Sequence, residues 1–157
     1  MEVRELDFTE LQRLKSFEWW TDRNNFSKVT KDVRSGFIHV YAVIKERKVI
    51  ATLKMSGKVT VLGREIAQAA AQIYGVTVAD TVDNYDEVSS KLVSDVLGIL
   101  KGMGYKQVVV THSESNDRTR NLCNKFGITD VLGNIIMEGG KGVPDKYVIV
   151  RGNITGK

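Results

Sequence analysis

Few side chains in this sequence could carry chemistry. The single cysteine, Cys123, offers a thiol that is a nucleophile when ionised and a proton donor when neutral. His112 follows the apolar run Val108-Val109-Val110 and is a side chain able to act as a general base near neutral pH. Tyr74, Gln72 and Glu114 are further polar groups near the same predicted strand ends. Asn116 stands at the start of a short helical pattern, where it could contact a ligand or cap the helix. Each has a plainer structural role. A cysteine on a helix commonly packs as a small buried hydrophobe, and a histidine at a strand end commonly serves as a surface polar group.

One cysteine cannot form an internal disulfide or a thiolate cluster. The two histidines, His39 and His112, lie far apart, so no metal site is expected. The stretch Glu138-Gly139-Gly140-Lys141-Gly142-Val143-Pro144-Asp145 could cradle a phosphate. It lacks the GxxxxGK[ST] spacing and no helix follows it, so it reads as a hairpin loop.

The chain has 157 residues, 42% apolar and 27% charged, which fits one soluble globular domain over 1–157 with a substantial core. No apolar run approaches the ~20 residues of a membrane span, and no signal peptide is visible. The cysteine usage fits a reducing, cytoplasmic setting. The net charge of +4 suits an anionic small molecule, but no dense basic run or recognition motif points to nucleic acid.

Several elements must position these groups. Val3 to Leu6 alternate as a short strand, and Thr9-Glu10-Leu11-Gln12 has the form of a capping box opening a helix over 10–20. A second helix over 25–35 ends at Gly36. Residues 38–44 and 49–55 read as a hairpin around the polar turn Lys45-Glu46-Arg47-Lys48. Residues 59–62 could be a short strand. Residues 66–79 read as a strand through Val78, with a helical first portion as the alternative. Asn84-Tyr85-Asp86-Glu87 forms a second capping-box pattern. After it Val88, Leu92, Val93, Val96, Leu97, Leu100 and Met103 make one wide apolar helical face. A buried strand over 107–111, a short helix over 116–126 ended by Gly127, and strands over 131–137 and 147–150 complete the chain.

Two stretches carry a resemblance. In one, Val76-Thr77-Val78 precedes a loop and a long helix containing Ser90-Lys91-Leu92-Val93. In the other, Asn116, Leu122, Lys125 and Gly127 keep the spacing of N-x-x-A-x-x-L-Y-x-K-x-G-F. Together with the element order, these resemble the Gcn5-related N-acetyltransferase (GNAT) superfamily. The resemblance implies an α+β fold: a mixed, largely antiparallel sheet of six to seven strands with helices on both faces. The family's fourth and fifth strands are parallel and splay apart. Acetyl-CoA is the implied cofactor, its pantetheine arm in the splay and its pyrophosphate on backbone amides at the start of the long helix. The binding residues so implied are Val76, Thr77, Val78, Val88, Ser89, Ser90 and Asn116. Cys123 stands where the family's tyrosine protonates the leaving thiolate, and His112 is the candidate base.

The implied function is acetyl transfer to a small-molecule or protein amine, with a homodimer as a candidate assembly. Against the family's loop (Q/R)-x-x-G-x-(G/A), Asn84 stands at the Gln/Arg position and Glu87 and Ser89 replace the glycines. Asp80, Asp83, Asp86 and Glu87 would repel a pyrophosphate; two unit charges ~4 Å apart cost about 1 kcal/mol in water and several times that at a protein surface. An Asn84/Glu87 capping box would occupy the amides an anion needs. These departures support the alternative, a non-catalytic binding or regulatory module of the same fold.

Overall fold

The computed structural model describes residues 1–61, 64–65, 70–138 and 144–154. Seven strands form one sheet: β1 (Glu2–Glu5), β2 (His39–Lys45), β3 (Lys48–Ser56), β6 (Ala70–Val78), β7 (Gln107–Ser113), β8 (Asp130–Glu138) and β9 (Pro144–Asn153). A separate small ribbon pairs β4 (Thr60–Val61) with β5 (Arg64–Glu65). The sheet order is β1-β2-β3-β6-β7-β9-β8. Every neighbouring pair in the large sheet is antiparallel except β6 and β7. This is the mixed α+β sheet expected. Leu62, residues 66–69 and residues 139–143 lie outside the described residues, so the proposed helical portion before β6 and most of the glycine-rich loop do too.

Alternation along the strands assigns each helix to a face. Tyr41, Val43, Leu53, Met55, Ile73, Val108 and Val110 point to one face. They pack on Val88, Leu92, Val93, Val96 and Leu100 of α3 (Tyr85–Gly102) and on Cys123 of α4 (Asp117–Lys125). Val40 and Ala42 point to the other face. They meet Leu11 and Leu14 of α1 (Phe8–Leu14), Val29 of α2 (Phe26–Arg34), and Trp20. Fully burying a Leu or Val side chain is worth ~1.5–3 kcal/mol, so the α3 stripe anchors the larger core.

The ends of the first helix differ from the sequence expectation. Its cap is Asp7, not Thr9: Asp7 Oδ1 accepts from the Glu10 N–H at 2.8 Å, and Glu10 Oε1 accepts from the Asp7 N–H at 3.2 Å. Asp7 supplies a carboxylate with a Glu three residues on, a better reciprocal pair than Thr9 with Gln12. The helix ends at Leu14, and the chain continues through turns closed by Phe17 N–H to Leu14 and Trp20 N–H to Phe17. One indole, Trp20, is core; Trp19 instead stacks on Phe17 with centroids 5.6 Å apart.

Two glycines make opposite demands. A Cβ on Gly152 would lie 2.8 Å from the Ile128 Cα and 3.0 Å from the Gly127 carbonyl oxygen, where backbone must move. Gly98 sits in α3 with nothing within 4 Å. Gly152→Ala is expected to destabilise the fold by about 1–3 kcal/mol, and Gly98→Ala to stabilise it by about 0.5–1 kcal/mol. Urea denaturation of the two variants checks both signs.

Candidate active site

The site begins with a defect in β6. Opposite β3, Lys54 pairs with Gly75 and Met55 with Ile73, which leaves Tyr74 as an extra residue in the ladder. Such a bulge bends its strand and increases the local twist. Parallel pairing of β6 with β7 runs only from Ala70/Gln107 to Ile73/Val110. Past the bulge β6 stays on β3 as far as Ala51/Val78, and β7 stays on β9 as far as Ser113/Tyr147. The two parallel strands therefore part.

A cavity of about 300 Å³ opens between them and reaches both faces of the sheet. On the helical side it is lined by Val93, Asn116, Thr119, Leu122 and Cys123. On the opposite side it is lined by hydroxyl residues, including Thr21, Thr77, Thr111 and Tyr147. Thr21 and Thr77 meet across this mouth, their hydroxyls 3.2 Å apart.

A second cavity, about 590 Å³, lies beside the first and shares Leu122 with it. Its walls are the start of α3 and one face of α4. Here the expected capping box is absent. Asn84 makes no capping bond; its Nδ2 donates instead to Glu87 Oε2 at 2.8 Å. The amide and carboxylate satisfy one another side chain to side chain, so neither reaches the backbone. Among the described residues, the N–H groups of Tyr85, Asp86 and Glu87 have no capping acceptor. The first turn of α3 thus keeps its donors and its positive dipole end.

The facing wall is basic. Arg118 and Lys125 are seven residues apart on α4 and so share a face. The Arg118 guanidinium lies 4.3 Å from the centre of the Tyr85 ring, and Lys125 Nζ donates to Ser90 Oγ at 2.8 Å. Neither makes an ion pair with a carboxylate among the described residues. Asp83, Asp86 and Glu87 line the same cavity. In the sequence Lys125 stands out only by its spacing, and Arg118 carries no motif. Their seven-residue separation on one amphipathic helix was the available signal.

The residues singled out from the sequence divide as follows. Val76, Thr77, Asn116, His112 and Cys123 all line the first cavity. Ser89 and Ser90 line the second. Val78 lies at the end of β6, beyond that lining. Val88 is buried in the core, and its N–H is bonded to the Asn84 carbonyl at 3.1 Å. Tyr74 lines the first cavity, whereas Glu114 faces Lys146 at 3.7 Å and Gln72 lies outside it. Asn116 does cap α4, its Oδ1 accepting from the Thr119 N–H at 3.1 Å. His112 is buried, and its Nδ1 contacts the Ser113 carbonyl oxygen at 2.9 Å. A carbonyl only accepts, so Nδ1 carries the proton and the Nε2 lone pair is left for other chemistry. Burial pushes the Cys123 thiol up to about 11, so it is neutral at physiological pH.

No protein-family model and no curated protein sequence matches the chain. Solved structures do match along its whole length. Ribosomal-protein-alanine N-acetyltransferase from Brucella melitensis superposes with a TM-score of 0.71 at 12% identity, covering 98% of this chain and 99% of the other. The aminoglycoside 6'-N-acetyltransferase from Enterococcus faecium gives 0.72 at 9% identity, with 100% and 99% covered. A Salmonella typhimurium protein assigned as an acetyltransferase, solved with its cofactor acetyl-CoA, gives 0.72 at 14% identity, with 100% and 95% covered. The chain has the Gcn5-related N-acetyltransferase fold. Among its described residues no helix is long and apolar enough to cross a membrane.

The raised thiol predicts slow modification of Cys123. Thiolate attacks an alkylating reagent, and a shift from 9.0 to about 11 lowers the thiolate fraction at neutral pH about 100-fold. Iodoacetamide labelling followed by intact-mass spectrometry should proceed at least that much more slowly in the native protein than in the urea-unfolded chain.

Proposed function

We propose that this chain is a CoA-dependent N-acyltransferase that moves an acetyl group from acetyl-CoA to an amine. The observation that carries the reading is the cavity between β6 and β7, adjoining at Leu122 a second cavity where an uncapped α3 turn faces Arg118 and Lys125. An extended chain fits between the splayed strands, where β6 presents main-chain groups no longer paired with β7. The α3 amides, Ser90, Arg118 and Lys125 offer donors and charge for phosphates. The carboxylates of Asp83, Asp86 and Glu87 oppose this, so binding is weaker than glycines at 87 and 89 would allow.

Bound acetyl-CoA supplies an activated thioester. The chain's own residues do the rest. Backbone donors of β6 near Val76 and Thr77 polarise the acyl carbonyl. His112, with its proton fixed on Nδ1, accepts the amine proton at Nε2, directly or through a water. Cys123 donates a hydrogen bond to the departing sulfur. At about 11 it is too weak an acid to protonate a thiolate of ordinary basicity outright, so its contribution is the smaller one.

The alternative of a non-catalytic module has one observation behind it, the three carboxylates lining the second cavity. The opening between β6 and β7 counts against it.

Release of free CoA thiol in the presence of an amine tests the reading. Thr119→Phe places a ring in the channel and is expected to lower turnover more than 10²-fold with the thermal midpoint preserved. His112→Gln is expected to lower kcat by about 10²-fold or more, and Glu87→Gln to lower the KM for acetyl-CoA. Turnover unaffected by Thr119→Phe would refute the channel assignment.

A further inference from the structure

We propose that the acceptor is a small hydrophilic amine carrying a second positive charge, held by Asp145 and the hydroxyl-lined mouth on the sheet face opposite α3 and α4. This rests on the acyltransferase reading above and assigns its substrate class. Alternation along β9 puts Asp145, Tyr147 and Ile149 on one face. Register with β7 puts Ser113 and Thr111 beside Tyr147 and Ile149. Ile149 packs with Val109 and Ala70 in the small cluster on the face away from α3. Asp145 therefore stands at the mouth that opens away from α3.

Its carboxylate is fixed there by a relay. Ser113 Oγ donates to Asp145 Oδ2 at 2.6 Å, and Ser115 Oγ lies 2.8 Å from Ser113 Oγ. With its proton committed to the carboxylate, Ser113 accepts from Ser115. Ser113 itself lines the cavity, so Asp145 is one hydrogen bond behind the wall.

Asp22, next to Thr21, is paired with Lys54 at 2.9 Å. Asp145 makes no ion pair among the described residues. The mouth thus combines hydrogen-bonding hydroxyls with one carboxylate that, among the described residues, makes no ion pair. An apolar amine leaves these groups without partners. A cation on the acceptor satisfies the carboxylate, and the reacting amine is directed to the cavity.

The test compares putrescine with n-pentylamine, which has the same number of heavy atoms and one charge fewer, on the full chain at saturating acetyl-CoA. A partly screened ion pair predicts kcat/KM about fivefold to tenfold higher for the diamine. Asp145→Asn is expected to bring the ratio toward one, and Asp145→Glu to retain a preference. Equal use of the two amines by the unaltered protein, or a ratio unchanged in Asp145→Asn, overturns the assignment. Turnover of neither amine while acetyl-CoA binds also overturns it. Failure to bind acetyl-CoA at all instead overturns the acyltransferase reading beneath it.

Discussion

The structure depends on the early end of one strand pairing. β6 and β7 are the only parallel neighbours in the large sheet, and they stay together for four residue pairs. Backbone donors and acceptors withdrawn from a ladder must find other partners. Here the loss is limited because each strand keeps its outer neighbour, β3 for β6 and β9 for β7. The extra residue at Tyr74 turns β6 away while that outer ladder resumes at the next residue, Gly75. The sheet stays continuous at one end and opens at the other, which leaves a passage through the sheet layer. The side chains of Val76, Thr77, His112 and Cys123 reach the same cavity for this reason alone.

The opening has two unlike mouths. On one side, α3 and α4 supply a helix N-terminus and two cations, set against three carboxylates. On the other, Thr21, β6, β7 and β9 supply hydroxyls, and Asp145 of β9 a carboxylate held by Ser113. A ligand with an anionic end and an extended neutral arm suits the first side, and a cationic ligand suits the second. Their reactive ends would meet beside His112 and Cys123, in surroundings buried enough to push the Cys123 thiol up to about 11. Group transfer between an anionic donor and a cationic acceptor is the chemistry such polarity favours.

The fold was largely legible from the chain. The α3 face was readable because the apolar residues from Val88 to Leu100 keep helical spacing, although Met103, expected on that face, lies past the helix end and is exposed; the β2–β3 hairpin was readable because its strands are β-branched around a charged turn. Asn116 as a cap and Gly127 as a helix stop followed from local chemistry. The failures share a cause. Capping-box patterns at Thr9 and Asn84 were read from residue types, whereas caps depend on where side chains point. Asp7 outcompeted Thr9 for the first helix, and Asn84 turned to Glu87 rather than to the backbone. The second difference matters more, because a capping box would occupy backbone amides that Asn84 leaves uncapped. Arg118 escaped notice because its role exists only across space, opposite Tyr85. The bulge at Tyr74 left no periodic signature, since one inserted residue in a short strand looks like ordinary irregularity.

The central claim is that the gap between β6 and β7, with the α3 turn behind it, receives acetyl-CoA. Isothermal titration calorimetry of acetyl-CoA into the purified chain tests this directly. The account predicts saturable binding of one molecule per chain, tightened in Glu87→Gln, where one opposing carboxylate is removed. Absence of any binding heat at millimolar acetyl-CoA, across temperatures, would contradict it.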